Sequence, residues 1–291
     1  MRRFPTLLVG LSLGSDDPAI LAHVAALAPR LGVQRVRLLH VAAGPHDVAL
    51  PIELEQAIER ALESAAEVLA PLEVSTSVVV GGVALRLLQE AVQRDVDLIC
   101  LGRRADGHSP SLGGSVGAIV RKAPCSVLAV PREAPVDLGR VLVPIDFSDR
   151  SREALEVALG ICQAQENGAL LALHAYELPL GWQKTGHDES TWSARAEEEA
   201  AQRWEEFTAD LDLGDSVGFR AVRDPVSHLG TAPHGPTLIR GIEQEGPGLV
   251  VISSRGRTAG AALLLGSVAA RLVNGVQRPC LVLKHKGETL S

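Results

Sequence analysis

Short, unbroken apolar runs alternate along the chain with longer stretches in which apolar residues recur every three or four positions. Residues 6–11, 35–41, 97–102 and 124–131 are runs of the first kind, and residues 74–80 alternate apolar with polar. Short runs without alternation fit strands buried on both faces of a parallel sheet. Between the first two runs, Ile20, Val24, Leu27 and Leu31 fall at helical spacing. Asp17-Pro18 precedes them as a helix start, with Asp as N-cap and Pro at the first helical position, and Gly32 ends the helix. Residues 51–69 predict a long second helix. Leu85, Leu88 and Val92 predict a third, and Gly114-Ser115-Val116 opens a fourth.

The same order then begins again. Arg140-Val141-Leu142-Val143-Pro144-Ile145-Asp146 matches Thr6 to Ser12, placing Ser12 and Asp146 134 positions apart. His40 and His174, which end the second strands, show the same offset. Gly114-Ser115-Val116 recurs as Gly266-Ser267-Val268, and Pro124-Cys125 as Pro279-Cys280. Ordered matches of this kind indicate a duplication, with one domain over 1–133 and another over 139–287. The boundary stretch, 132–139, contains Pro135 and Gly139. Strands alternating with helices imply an α/β fold with a doubly wound parallel sheet in each half. Such sheets take ligands beyond the carboxyl ends of their strands. Two insertions distinguish the second half. Residues 180–192 hold Trp182 and Trp192 and read as a mobile loop with one packed tryptophan. Residues 224–236 hold His228 and His234 among prolines and glycines and read as a surface loop.

The stretch with the most chemistry is Leu249 to Gly256 followed by Gly266-Ser267-Val268. It reads as strand, loop and helix. Glycine allows close approach of the backbone to a ligand. A helix N-terminus offers unpaired N–H groups and partial positive charge, which suit phosphate, and Ser267 adds a hydroxyl there. Composition narrows the choice of ligand. Aromatic residues are 3% of the chain, too few for stacking platforms that hold single-stranded nucleic acid. A net charge of −7 opposes binding to nucleic acid or acidic membrane. No apolar run reaches the length of a membrane span, and the N-terminal run lacks a cleavage pattern, so a cytoplasmic protein is expected. Cys100, Cys125, Cys162 and Cys280 form no CxxC pair and sit in apolar segments, as buried free thiols do. The nine histidines form no HExxH or Cys/His cluster, so the sequence lends no support to a metal site. No lysine follows the glycines in the manner of a Walker loop. His40 and His174 suit packed, hydrogen-bonded strand residues better than general bases.

These residues resemble the universal stress protein family in its tandem form. The resemblance rests on the Pro144-Ile145-Asp146-Phe147-Ser148 turn, the Gly256…Gly266-Ser267-Val268 loop and the closing Pro279-Cys280-Leu281-Val282-Leu283 run. It implies two five-stranded parallel sheets of order 3-2-1-4-5 with helices on both faces. It also implies that the fifth strands pair to make a pseudo-dimer within one chain. Some members bind ATP through G-x2-G-x9-G-S/T. The second half fits that pattern except that Ser253 stands at the first glycine. By the resemblance, Asp146 contacts the nucleoside, the backbone of Ala175 meets adenine and Arg255 faces the phosphates. Gly256, Gly266 and Ser267 hold phosphate, with Pro144, Ile145, Ile252 and Val268 beside them. In the first half, Ala105 replaces the second glycine, the spacer is one residue short and Ser12 occupies the acid's position. That site is expected to be degenerate, with Arg103 and Arg104 either attracting an anion or forming a solvated basic turn.

The function expected is a stress-response regulator that binds ATP, or a related adenine nucleotide, in its second domain, with Mg²⁺ accompanying ATP. Asp146 has a duller alternative, capping the turn that follows it. A module that binds no nucleotide and contacts a protein partner, or a second copy of itself, is a rival reading. A slow ATP hydrolase is another. Nothing in the sequence is built for fast catalysis.

Overall fold

Ten strands and eight α-helices alternate along the described residues of a computed structural model: 3–44, 49–103, 114–132, 134–165, 167–225, 234–256 and 265–284. The first half runs β1 (Thr6–Leu11), α1 (Asp17–Leu31), β2 (Arg35–Ala42), α2 (Ile52–Glu67) and β3 (Glu73–Val80). It continues through α3 (Val83–Gln93), β4 (Leu98–Arg103), α4 (Gly114–Lys122) and β5 (Ser126–Pro131). The second half repeats the order as β6 (Arg140–Pro144), α5 (Asp149–Gln163), β7 (Ala169–Tyr176), α6 (Glu189–Thr208) and β8 (Val217–Arg223). It closes with α7 (Gly235–Glu245), β9 (Leu249–Ser253), α8 (Ser267–Gly275) and β10 (Cys280–Leu283).

All ten strands join one sheet, in the order β3-β2-β1-β4-β5-β10-β9-β6-β7-β8. Each half therefore has the order 3-2-1-4-5 and is parallel throughout. The halves meet where β5 pairs antiparallel with β10, through Val127↔Val282, Leu128↔Leu281 and Ala129↔Cys280. Every residue of these two strands is buried, which explains their unbroken apolar sequence. Polar stitches reinforce the join. Lys284 Nζ donates to the Arg121 and Ala123 carbonyls, 3.0 Å each, at the C-terminal end of α4. A cation there also complements the negative end of the helix.

Successive strand residues point to opposite faces. Leu7 and Val9 accordingly enter one core with the inner faces of α1, α2 and α5. Leu8 enters the other with α3, α4, α7 and α8. Each core contains residues of both halves. The four cysteines are free and buried; burial raises the Cys100, Cys162 and Cys280 thiols, the last two to about 11.

Local details differ from the sequence expectations in three places. Asp16, not Asp17, holds the N-cap position of α1. The Asp17 carboxylate instead closes the β1–α1 turn, accepting from Ser12 N at 3.1 Å, Ser12 Oγ at 3.0 Å and Leu13 N at 2.6 Å. Residues 180–192 are not one loop. Trp182–Lys184 is a turn of 3₁₀ helix, and Trp192 lies in the first turn of α6, whose N-cap Asp188 accepts from Thr191 N at 2.8 Å. Trp192 Nε1 donates to Thr185 Oγ1 at 2.9 Å, tying the two pieces together. The third difference is at Asp224, which is buried rather than on a surface loop; His228 lies outside the described residues.

Candidate functional site

The turn after the first strand of each half has the same shape. Leu13 and Phe147, again 134 positions apart, both adopt left-handed backbone, with φ of 58° and 60°. Bulky residues rarely occupy that region, and the conformation is held only where its surroundings fix it. At Phe147 the fixing contacts are aromatic. Its ring lies 4.7 Å from His174, 5.5 Å from Phe207 and 6.2 Å from Phe219, with the Arg203 guanidinium 4.3 Å from its centroid. Trp204 stacks on Phe219 at 4.9 Å. Aromatic residues are scarce in this chain, yet five rings gather beside one turn.

This packing aims the preceding residue. Asp146 Oδ1 accepts from Ser148 N at 3.1 Å and from Ser148 Oγ at 2.5 Å, so one carboxylate oxygen does cap the turn. The other oxygen faces Gly256: a Cβ added at Gly256 would sit 2.6 Å from Asp146 Oδ2. Gly256 is therefore bare because the carboxylate occupies the space of a side chain. Gly266 folds back on the same loop. Its N–H donates to the Ser254 carbonyl at 2.7 Å, and a Cβ there would touch Ser254 O and Arg255 Cα. Gly266 is also the N-cap of α8 and, as glycine, brings no capping side chain of its own. The first-turn N–H groups of α8 thus have no side-chain acceptor from the cap position.

The other residues named from sequence lie at or near the carboxyl ends of β6, β7 and β9 and at the start of α8. Pro144 ends β6, and Ile145 N donates to Leu173 O at 2.8 Å. Ala175 is buried in β7 and Ile252 in β9. Ser253 Oγ donates to the Arg255 carbonyl at 2.9 Å, closing the tight turn where the family pattern has glycine. Arg255 is buried, while Ser267 is exposed and Val268 half-buried at the start of α8. Residues 257–264, the body of the loop, lie outside the described residues.

The first-half cup is differently occupied. Ser12 donates its hydroxyl to Asp17. A Cβ at Gly102 would sit 2.9 Å from Ile20 Cδ1, so that glycine serves packing against α1. Arg103 neither forms a solvated turn nor waits for an anion. It is buried at the join of the halves, where its guanidinium donates to the Val276 and Arg278 carbonyls. Arg104 and Ala105 lie outside the described residues.

The two strand-end histidines are equivalent in structure. His40 Nδ1 meets the Leu11 carbonyl at 3.0 Å, and His174 Nδ1 meets the Ile145 carbonyl at 2.8 Å. Burial lowers the pKa of His174; the Ile145 carbonyl opposes that, the Arg203 and His234 charges add to it, and Asp146 opposes it. His174 thus lies within electrostatic reach of both Asp146 and His234. Sequence reasoning missed a second group beside it: Glu177, Asp224 and His234, spread over three elements.

The fold and the cup define a class: tandem, doubly wound α/β proteins with a glycine loop at the carboxyl end of the fourth strand of the second half. The family model described as "Universal stress protein family" matches residues 3–131 and again 138–284, and the chain belongs to that family. Two curated universal stress proteins from Mycobacterium tuberculosis strains, MT2698 and Rv2623, are each 27% identical over 208 residues. Those alignments cover 67% of this chain and 63% of each relative, so under two thirds of the relatives' length is matched. Among solved structures, a universal stress protein from Archaeoglobus fulgidus superposes with a TM-score of 0.64 at 17% identity, covering 97% of both chains. A putative universal stress protein from Pseudomonas aeruginosa gives 0.66 at 18% identity, covering 98% of this chain and 95% of the other. These structures share the fold. Among the described residues, no helix is long and apolar enough to cross a membrane.

Proposed function

We propose that the second half binds ATP or a related adenine nucleotide, and that the protein is a cytoplasmic stress-response regulator rather than a dedicated enzyme. The observation that supports this reading is the pair of small residues around Asp146: Gly256, whose missing side chain leaves room for that carboxylate, and Gly266, which opens α8 with no capping side chain of its own. These residues fit a triphosphate. The α8 amides and the Ser267 hydroxyl would hold phosphate oxygens, favoured by the positive end of the helix. Asp146 would accept from ribose or base, and the Ala175 backbone would meet adenine. Arg255 would add positive charge, and Mg²⁺ would arrive with the triphosphate. The first half, with Ser12 turned to Asp17 and Arg103 drawn into the join, is proposed to bind no nucleotide.

Titration calorimetry of the full chain with Mg·ATP tests the reading. Wild type binds one nucleotide, and Gly266→Glu, which sets a carboxylate among the α8 amides, abolishes binding while the chain stays folded. Absence of wild-type binding at millimolar ATP overturns the proposal.

A further inference from the structure

We propose that Glu177, Asp224 and His234 form a divalent-cation site of the zinc class at the carboxyl ends of β7 and β8, two residues on from Ala175. The topology explains how they meet. Tyr176 pairs with Arg223 at the ends of the parallel strands β7 and β8. Glu177 and Asp224, the next residues of each strand, therefore leave the sheet side by side. His234 enters from the third direction, as the residue immediately before α7.

The donor set and spacing match the chemistry. One ligand atom from each residue can be chosen so that all lie within 4.8 Å of one another. Asp224 Oδ2 is 3.2 Å from His234 Nδ1, close to the spacing of about 3.3–3.5 Å between neighbouring ligand atoms that zinc bonds of about 2.0–2.2 Å impose in a tetrahedron. Glu177 Oε1 lies 3.8 Å from the other ring nitrogen, Nε2, so the Glu177 carboxylate must turn toward the Nδ1 side to share one ion. One imidazole and two carboxylates are a donor set for Zn²⁺ or its first-row neighbours rather than for Mg²⁺, which prefers oxygen alone.

The supporting shell is already built. The Asp224 side chain is 3% exposed, and its Oδ1 accepts from Thr237 Oγ1 at 3.0 Å, which fixes the carboxylate plane. Asp224 N donates to Tyr176 O at 2.7 Å, locking the backbone. The Glu177 and His234 side chains are 31% and 33% exposed, so the site opens to solvent on one side. Three protein ligands and one open position are the arrangement of zinc sites that keep a water or accept a ligand atom. The ion would clasp β7, β8 and α7 together.

The test uses the full chain, stripped with a chelator and titrated with Zn²⁺ alone against a chromophoric competitor. Wild type takes up one equivalent at micromolar Zn²⁺. His234→Ala and Glu177→Gln each weaken that binding by about 10-fold or more, with circular dichroism unchanged, and His187→Ala at an exposed position leaves it intact. Glu177 is partly exposed, so its substitution keeps the fold even if His234→Ala does not. X-ray absorption of the zinc-loaded chain should show one nitrogen and at least two oxygens in the coordination shell. No uptake at micromolar Zn²⁺, or equal uptake by Glu177→Gln, reduces the cluster to a hydrogen-bonded charge network. Because no nucleotide is present, failure here leaves the nucleotide reading untouched.

Discussion

At the scale of single residues, burial sets the protonation of the buried histidines. Burial lowers the pKa of His23, against smaller opposing effects of the Ala19 and Pro135 carbonyls, and burial likewise lowers that of His174. The unfolded chain, with a histidine value of 6.5, therefore takes up these protons before the folded one does. Their contribution to stability is complete above that value and is lost as pH falls from it through the lower folded values. Melting temperature should thus drop on acidification below 6.5, and His23→Gln should flatten part of that drop in a pH series of thermal melts. An unchanged slope would show that His23 is not held neutral. Sequence made Asp146, Gly256 and Gly266 readable, because a turn and a glycine loop have local signatures. Glu177, Asp224 and His234 were unreadable, because only the pairing of β7 with β8 brings the first two together. Phe147 was visible as part of a motif, while its aromatic surroundings depend on rings from α6 and β8.

At the scale of elements, the β6–α5 corner shows how much one side chain can organise. Ser148 Oγ accepts from Ser151 N at 3.2 Å, and Ser148 N donates to Ser151 Oγ at 3.1 Å, a reciprocal cap on α5. The same hydroxyl donates to Asp146. Ser148→Ala should cost about 1 kcal/mol in urea unfolding. Helix spacing and glycine stops made α1 legible, including its end at Gly32 with φ of 66°. The start was one residue out because two aspartates stand in succession and the second is drawn to Ser12 and Leu13. In the insertion, turn-forming residues concealed the start of α6. Asp188 was nonetheless an N-cap signal four residues before Trp192, and it places that tryptophan in the first helical turn.

At the scale of the whole molecule, both cores run through both halves, so the chain should unfold as one unit. All three tryptophans, Trp182, Trp192 and Trp204, lie in the second half, whereas helix is present in both. Tryptophan fluorescence and far-ultraviolet circular dichroism should therefore trace one coincident urea transition. Leu281→Ala, in the middle of the β5–β10 join, should lower stability by about 2–5 kcal/mol and shift both signals together. Separated transitions would mean that the halves fold independently. The repeat made the duplication legible, and the family resemblance implied the strand order of each half. The role of Arg103 was not legible, because its partners at Val276 and Arg278 are distant in sequence and a basic residue at a strand end looks solvated.

The antiparallel meeting of β5 and β10 also decides which way the loops point. Strands of the two halves run in opposite senses, so their carboxyl ends emerge at opposite margins of the one sheet. The loops that follow the strands of the first half and those that follow the strands of the second therefore face away from each other, with the one sheet between them.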